Sequence, residues 1–148
     1  MKIVICASIS FTYKIKEVAD VLSRDGYEVE IPWSAQRILD GDMSFEHWQS
    51  VKEKEGDISF RESSGEDFIK KHYNLIKDSD AILVLNIEKK GVKNYIGGNT
   101  FLEMGFAYIS DKKIFLLNEI PECSYTDEIK AMRPIVLGGD INKIRDYL

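Results

Sequence analysis

The most constraining feature of this sequence is a strand-like apolar run that leads, through a charged loop, into two adjacent glycines and a helical pattern. The run is Ala81 to Leu85, the glycines are Gly97 and Gly98, and the helical pattern runs from Asn99 to Ser110. A strand, a glycine loop and a helix start are where α/β domains usually hold anionic or sugar-phosphate ligands. We therefore expect the backbone around Gly97, Gly98 and Asn99 to contact a small-molecule ligand.

Short apolar runs alternate with helical patterns along the rest of the chain. The alternation predicts one α/β domain, residues 1–148, with a parallel sheet of about five strands and a right-handed first crossover. The predicted strands are Lys2–Ala7 (taken as the central one), Tyr27–Ile31, Ala81–Leu85, Lys113–Leu117 and Pro134–Leu137. The predicted helices are one around Ile15 to Leu22 that ends at Gly26, Phe45–Lys54, one through Phe68 and Ile76 with Ser64 and Asp67 as capping residues, Asn99–Ser110, Asp127–Met132 and Ile141–Leu148.

The segment Trp33 to Gly65 is the least regular part of the pattern. Connections of this length are often lids or partner contacts, and the alternative is a surface helix that covers one sheet edge. The sequence leaves both interpretations open.

Composition limits the partners of the protein. Hydrophobic residues make up 44% of the 148 residues and charged residues 30%, which is typical of a globular protein, and no apolar run is long enough to span a bilayer. The formal net charge of −5 argues against nucleic acid. The lysine pairs 70–71, 89–90 and 112–113 are interpreted as solvated ends of elements, and we expect a cytoplasmic protein.

The two cysteines, Cys6 and Cys123, lack metal-type spacing. Cys6 lies in an apolar run and is predicted to be a small core residue. His47 has no ligand-like spacing to other histidines or cysteines, so we predict no metal, and no cofactor is expected.

Polar residues follow three of the predicted strands and should meet at the carboxyl edge of the sheet. They are Ser8 and Ser10, Asn86, and the pair Asn118-Glu119. We expect Asn86 to contact ligand, whereas Ser10 can equally be the cap of the first helix. None of these segments is a Walker loop or a G-x-G-x-x-G fingerprint, which disfavours a P-loop nucleotidase or a dinucleotide enzyme.

Glu103 is the candidate for chemistry, and its position supports two interpretations. Thr100 and Glu103 have capping-box spacing, which would make the carboxylate a structural cap. Alternatively, a carboxylate in the first turn of a helix is held ionised by the helix dipole and can attack an electrophilic sugar carbon. Spacing alone does not choose between them.

The stretch Gly-Gly-Asn-Thr-Phe-Leu-Glu-Met-Gly-Phe-Ala-Tyr-Ile-Ser-Asp-Lys-Lys-Ile resembles the signature of the nucleoside 2-deoxyribosyltransferase family and its nucleotide N-glycosidase relatives. The matching positions are Glu103, Gly105 and Ala107, followed by Asp111-Lys112-Lys113. The resemblance also takes in the loop Ser8-Ile9-Ser10 and the Asp78-Ser79-Asp80 entry to the third strand. It covers most of the chain except Trp33 to Gly65.

The resemblance implies a flavodoxin-like three-layer sandwich and an enzyme. Glu103 would be the nucleophile that cleaves the N-glycosidic bond of a nucleoside or its 5′-monophosphate through a glycosyl-enzyme intermediate, and water or a second base would then release the sugar. It further implies a homo-oligomer, a dimer or larger. Trp48, Phe101 and Phe106 can line such a contact or lie in the core.

The sequence departs from the family pattern at two positions. Several members carry an acidic or hydroxyl residue six places before the nucleophile, where this chain has Gly97. Transferases carry a base-recognising aspartate where this chain has His72, which is then either a base reader or an ordinary helix residue. Ser8 and Ser10 would hold a 5′-phosphate, with Lys14 as the nearest cation, and Tyr13 would stack on the base or pack in its helix.

Two alternatives of other classes stay open. A non-catalytic nucleotide-sensing module on the same fold stays open because the polar residue of the family pattern is missing at Gly97. A flavodoxin-type redox carrier would need a hydroxyl-rich phosphate loop after the first strand.

Overall fold

A computed structural model describes residues 1–50 and 67–148 of the chain. Its five strands form one parallel sheet in the order β2-β1-β3-β4-β5, and helices cover both faces. The strands are β1 (Lys2–Cys6), β2 (Glu28–Glu30), β3 (Ala81–Val84), β4 (Lys113–Leu116) and β5 (Ile135–Val136). The helices are α1 (Thr12–Arg24), α2 (Trp33–Leu39), α3 (helical at residues 45–50), α4 (Phe68–Lys77), α5 (Gly98–Ile109) and α6 (Thr126–Ala131), with 3₁₀ segments at Ile9–Phe11 and Ile141–Asp146.

The flavodoxin-like three-layer arrangement predicted from the sequence is confirmed. Successive side chains of a strand point to opposite faces of a sheet, and β1 shows the result. Ile3 and Ile5 pack in the core beneath α1 and α2, whereas Val4 and Cys6 pack in the core beneath α4, α5 and α6. The alternation therefore sends Cys6 to the face that also carries α5.

The order of the strands reverses at β1 and β3. From β1 the chain continues outward to β2, and from β3 it continues outward in the other direction to β4 and β5. Parallel α/β sheets bind ligands at such a switch point, outside the carboxyl ends of the strands. The loops that leave β1 and β3 therefore frame the expected site.

Several details differ from the sequence-based expectations. The middle strand is β3 and not β1, although β1 is interior. The C-terminal helix is a 3₁₀ segment, and α2 gives regular structure to the start of the segment that was expected to be irregular. Helix α4 is capped by Asp67, whose side chain accepts a hydrogen bond from the Lys70 N–H; the predicted partner Ser64 and the end of the predicted helix 45–54 lie outside the described residues.

Helix α1 ends in a Schellman motif around Gly26, as its sequence position predicted. Gly26 has a φ of +90°, its N–H bonds to the carbonyl of Ser23, and the Tyr27 N–H bonds to the carbonyl of Leu22. The motif turns the chain directly into β2. It depends on a backbone conformation that a β-carbon disfavours.

We expect Gly26→Ala to lower the free energy of unfolding by roughly 1–2 kcal/mol, because the left-handed conformation is strained for alanine. Gly105→Ala is the matched control. Gly105 lies inside α5, and a β-carbon there meets no described atom within 4 Å. This variant should gain about 0.5–1 kcal/mol from helix propensity. Urea denaturation of both variants measures the difference, and equal effects would contradict the assigned role of Gly26.

Candidate functional site

A cavity of about 270 Å³ opens at the switch point between β1 and β3. Its walls come from the loop after β1, the start of α2, α3, one face of α4, and the loop and helix start that follow β3. Six predicted site residues line it: Ser8, His72, Gly97, Gly98, Asn99 and Glu103. The other three, Ser10, Tyr13 and Asn86, are not among its lining residues.

Glu103 lies in the second turn of α5 and is not part of a helix cap. The helix begins at Gly98 with Gly97 as N-cap, so Thr100 is already inside it, and no side chain of the described residues caps this end. The capping-box interpretation of Thr100 and Glu103 is therefore wrong. The carboxyl group lines the cavity instead, with its side chain 16% exposed.

One oxygen of Glu103 has a neighbour and the other has none among the described residues. Oε1 lies 3.6 Å from Nε2 of His72. Oε2 is buried without a hydrogen-bond partner in the part of the chain that the structure describes. A buried oxygen of this kind costs free energy, and such groups concentrate at functional sites.

Burial raises the pKa of Glu103 to about 8, and a hydrogen bond with the Cys6 thiol offsets only part of that effect. The expectation that the helix dipole keeps this carboxylate ionised is thus wrong for the free protein at neutral pH. In the second turn the group lies beyond the unpaired N–H groups of the helix start, so desolvation dominates.

His72 and Cys6 complete a buried cluster around this carboxyl group. His72 Nε2 is 3.4 Å from Cys6 Sγ, and burial lowers the pKa of His72 to about 4. Burial raises the pKa of the Cys6 thiol well above its usual value, and the electrostatic effect of the nearby Glu103 adds a smaller increase. At neutral pH the cluster therefore consists of three uncharged groups, and the prediction that Cys6 is buried is confirmed.

Ser8 connects the loop after β1 to the loop after β3. Its Oγ accepts a hydrogen bond from Lys89 Nζ at 2.8 Å. It also accepts one from the Ser10 N–H at 3.4 Å, which makes Ser8 the cap of the first 3₁₀ segment. Ser10 does not cap α1, whose N-cap is Phe11, and the lysine that donates a hydrogen bond to Ser8 is Lys89, whereas Lys14 pairs with Glu17.

Tyr13 lies on the solvent face of α1, with 73% of the residue exposed. It is neither packed in its helix nor directed into the cavity wall. Stacking of Tyr13 on a base stays a prediction without support from this arrangement.

Gly97 faces an aromatic side chain. A β-carbon at Gly97 would lie 2.9 Å from the hydroxyl oxygen of Tyr95, too close for any substitution without movement of that ring. Tyr95 itself lines the cavity. The Tyr95 hydroxyl therefore lies next to Gly97, the position at which the resemblance noted in the sequence leads one to expect an acidic or hydroxyl side chain.

Asn86 is fully buried and joins two loops. Its amide nitrogen donates to the carbonyls of Asn118 and Glu119, and its amide oxygen accepts from the Asn118 N–H. The predicted third segment, Asn118-Glu119, does meet the second one, but as a structural clasp beside the cavity. Contact of Asn86 with ligand stays a prediction, and its side chain is already engaged.

The sequence analysis missed most of the aromatic and cationic lining. Lys71 and Lys89 were interpreted as solvated ends of elements, yet both line the cavity and lie over aromatic rings, Lys71 at 5.0 Å from the Trp33 centroid and Lys89 at 4.9 Å from that of Tyr95. The further aromatic lining residues are Trp33, Trp48, Phe68, Tyr95 and Phe106. Two of these residues could have been predicted from their place in the sequence, because Trp33 and Lys89 both follow predicted strands and so lie at the carboxyl edge of the sheet.

Comparison with solved structures finds Clostridium botulinum CMP N-glycosidase BcmB, with a TM-score of 0.52, 16% sequence identity and coverage of 100% of both chains. The likeness shows the fold. No protein-family model matches the sequence, and neither does any curated protein. In the described residues, no helix combines the length and hydrophobicity needed to cross a membrane.

The pKa of Glu103 predicts a pH-dependent stability. The unfolded chain loses this proton near its ordinary pKa of 4.5 and the native protein only near 8, so the native state binds more protons between these values. The free energy of unfolding should therefore fall by a few kcal/mol as the pH rises through that window.

Glu103→Gln removes the titrating group. The free energy of unfolding of the variant, relative to that of the wild type, should therefore increase from pH 4.5 to 8 and stay constant above pH 8. His72 contributes an opposite slope between its unfolded value of 6.5 and about 4, and it does so in both proteins. Urea unfolding at half-unit pH intervals measures the difference. A difference that is constant across the window would contradict the burial of an uncharged Glu103.

Proposed function

We propose that this protein cleaves the N-glycosidic bond of a nucleoside 5′-monophosphate or nucleoside, with Glu103 as the nucleophile. The observation that carries the proposal is the buried, unpartnered Oε2 of Glu103 in the wall of a cavity at the sheet's switch point. An oxygen without a hydrogen bond keeps its lone pairs available for a carbon electrophile. The CMP N-glycosidase of the same fold supports the reaction class.

The cavity offers suitable contacts for the anionic end of a nucleotide. Lys89 and Ser8 lie at one wall, and the start of α5 contributes Gly98, Asn99 and Thr100. Helix α5 has twelve residues and no side-chain cap among the described residues, so its first N–H groups are available to a phosphate. These features favour a monophosphate over a nucleoside.

The aromatic side chains of the cavity can contact the base of a nucleotide, and the Tyr95 hydroxyl can contact its sugar. Trp48, Phe68 and Phe106 present apolar surface to the cavity, on which a flat heterocycle can stack. The Tyr95 hydroxyl, next to Gly97, is available for a sugar hydroxyl or phosphate oxygen. Recognition of the base by His72 stays part of the proposal, although its Nε2 already faces Cys6 and Glu103.

The proposed reaction has two displacement steps at C1′, first of the base and then of Glu103. An Oε lone pair of ionised Glu103 forms an ester bond to C1′, the C1′–N bond breaks, and its electron pair leaves with the base, which takes up a proton. Water, or a second base, then attacks C1′, loses a proton and releases Glu103. The products are free base and the sugar or sugar phosphate, or an exchanged nucleoside, with retention at C1′.

A second candidate is the non-catalytic nucleotide-binding module. The pKa of about 8 favours it, because an uncharged carboxyl group is a poor nucleophile at neutral pH. On the catalytic hypothesis the rate of base release should rise with pH up to about 8. A module without catalysis binds nucleotide and releases no base at any pH.

Assembly into a homo-oligomer is also proposed, with residues other than those first considered. Phe101 stacks on Tyr125 with ring centroids 4.5 Å apart, and Trp48 and Phe106 line the cavity. Two apolar side chains of the cavity lining are exposed, Ile69 on α4 at 45% and Leu102 on α5 at 42%. A partner chain on the α4–α5 face would cover them.

Glu103→Gln should reduce base release from the best substrate by at least about 1,000-fold, since removal of a covalent nucleophile has no substitute. The fold should survive, because the variant also removes a buried acid. Chromatography of reactions with a panel of nucleosides and 5′-monophosphates measures the free base. Glu122→Gln, at an exposed glutamate, is the control, and a fully active Glu103→Gln would refute the assignment.

Lys89→Gln should raise KM for a 5′-monophosphate by roughly 10-fold and leave KM for the matching nucleoside nearly unchanged, because a charged hydrogen bond contributes about 1.5–3 kcal/mol. Lys93→Gln, at an exposed lysine of the same loop, is the matched control. Equal effects on both substrates would mean that Lys89 does not contact the phosphate.

A further inference from the structure

Cys6, His72 and Glu103 bring three different metal-ligand atoms together. The sulfur, the imidazole nitrogen and a carboxylate oxygen all lie within 4.8 Å of one another. They come from the end of β1, the middle of α4 and the second turn of α5, which pack against one another in one core. Regular elements therefore hold the cluster.

The two ligand separations that include His72 suit tetrahedral zinc, and the third, between Cys6 and Glu103, lies within 4.8 Å. Bonds of about 2.0–2.3 Å at tetrahedral angles separate neighbouring ligand atoms by roughly 3.4–3.6 Å. The structure has 3.4 Å between Cys6 Sγ and His72 Nε2, and 3.6 Å between that nitrogen and Glu103 Oε1. Moreover, the second oxygen of Glu103 is buried without a partner among the described residues.

The chemistry of the three ligands selects the ion. A thiolate and an imidazole prefer Zn²⁺ to Mg²⁺ or Ca²⁺, which take oxygen ligands. One thiolate and one carboxylate balance the charge of Zn²⁺ in a buried place, and their two protons leave to solvent on binding. His72 and Glu103 line the cavity, which gives the ion an entry path and leaves its fourth position to water.

We propose that Cys6, His72 and Glu103 form a Zn²⁺ site, and that zinc binding there inhibits base release by engaging the Glu103 carboxylate. Zinc binding does not depend on the proposed function, whereas the inhibition rests on it. Coordination of Oε1 to the ion draws electron density from the whole carboxylate and so weakens the attack of Oε2 on C1′. Bound zinc therefore slows formation of the glycosyl-enzyme ester.

The chain supplies matched controls, because it contains two cysteines and two histidines in all. Cys123 is exposed, and His47 is not among the residues of the cluster. Zinc affinity of EDTA-stripped, reduced protein is measured by competition with a chromophoric chelator. We expect one Zn²⁺ per chain, an affinity lowered on the order of 100-fold in Cys6→Ala and His72→Ala, and no change in Cys123→Ala or His47→Ala.

A second measurement uses the unaltered protein, so that the test does not depend on variants that fold. Co²⁺ in place of Zn²⁺ should give a near-ultraviolet thiolate-to-cobalt absorption in the wild type and in Cys123→Ala. Circular dichroism of the zinc-free variants checks their folding. Absence of the cobalt band from the wild type, its loss in Cys123→Ala, or unchanged zinc affinity in Cys6→Ala would overturn the site.

Inhibition is measured as base release with and without Zn²⁺, relative to the zinc-free rate of each protein. It should be reversed by EDTA, and the half-inhibiting zinc concentration should follow the affinities above. Activation by zinc would overturn the inhibitory role. Absence of base release from every substrate in zinc-free protein refutes the proposed function alone, since the affinity and cobalt measurements still decide the zinc site.

Discussion

The burial of most of one carboxyl group is the constraint on which the site depends. Glu103 lies between a thiol and an imidazole, and each of these groups is itself buried. Burial favours the uncharged form of all three, so none of them neutralises another by ionising. The resulting cluster is polar, reactive and yet uncharged at neutral pH. Such a state persists only because the surrounding elements hold it in place.

The sheet provides that support. Strand β1 pairs with β2 on one side and β3 on the other, so Cys6 has little freedom to move. The alternation along β1 directs Cys6 to the face that carries α4 and α5, where Ile76, Met104 and Ala107 are fully buried around it. Packing of the apolar core thus fixes the positions of Cys6, His72 and Glu103 relative to one another. Catalysis and metal binding both require that the side chains in contact with the ligand are held rigidly.

Much of the fold could be predicted because its signals are local. Apolar runs identified all five strands to within two residues at each end, and Gly26 identified the end of α1. The predicted start of α5 at Asn99 is one residue from the observed start at Gly98, but the capping pattern of Thr100 and Glu103 suggested a wrong N-cap, because the actual N-cap, Gly97, carries no side chain to indicate it. Local spacing cannot distinguish a first-turn glutamate from a second-turn one when the loop before it is rich in glycine.

The candidate site could be predicted only where its residues follow strands. Ser8 and the glycine loop were found in this way. The cluster was not, because Cys6, His72 and Glu103 are distant in sequence and become neighbours only when the faces of the sheet are assigned. The burial of His72 did have a signal, since it lies four residues after Phe68 and four before Ile76 on one helical face. Of the aromatic lining, Trp33 had a signal, since it follows β2, whereas Trp48, Phe68 and Phe106 lie within different helices.

The Asn86 clasp divides the carboxyl edge of the sheet into two unequal halves. Beyond it, the turn that follows β4 is joined to the end of β3 by hydrogen bonds between Asn86 and the pair Asn118-Glu119. On the near side, the connections after β1, β2 and β3 carry the cavity walls. Substitutions on the near side can therefore change the shape of the cavity and the ligand that it prefers, while the far side keeps β3 and β4 joined. A fold with one variable and one fixed half of its ligand-binding edge is well suited to the evolution of related proteins that bind different ligands.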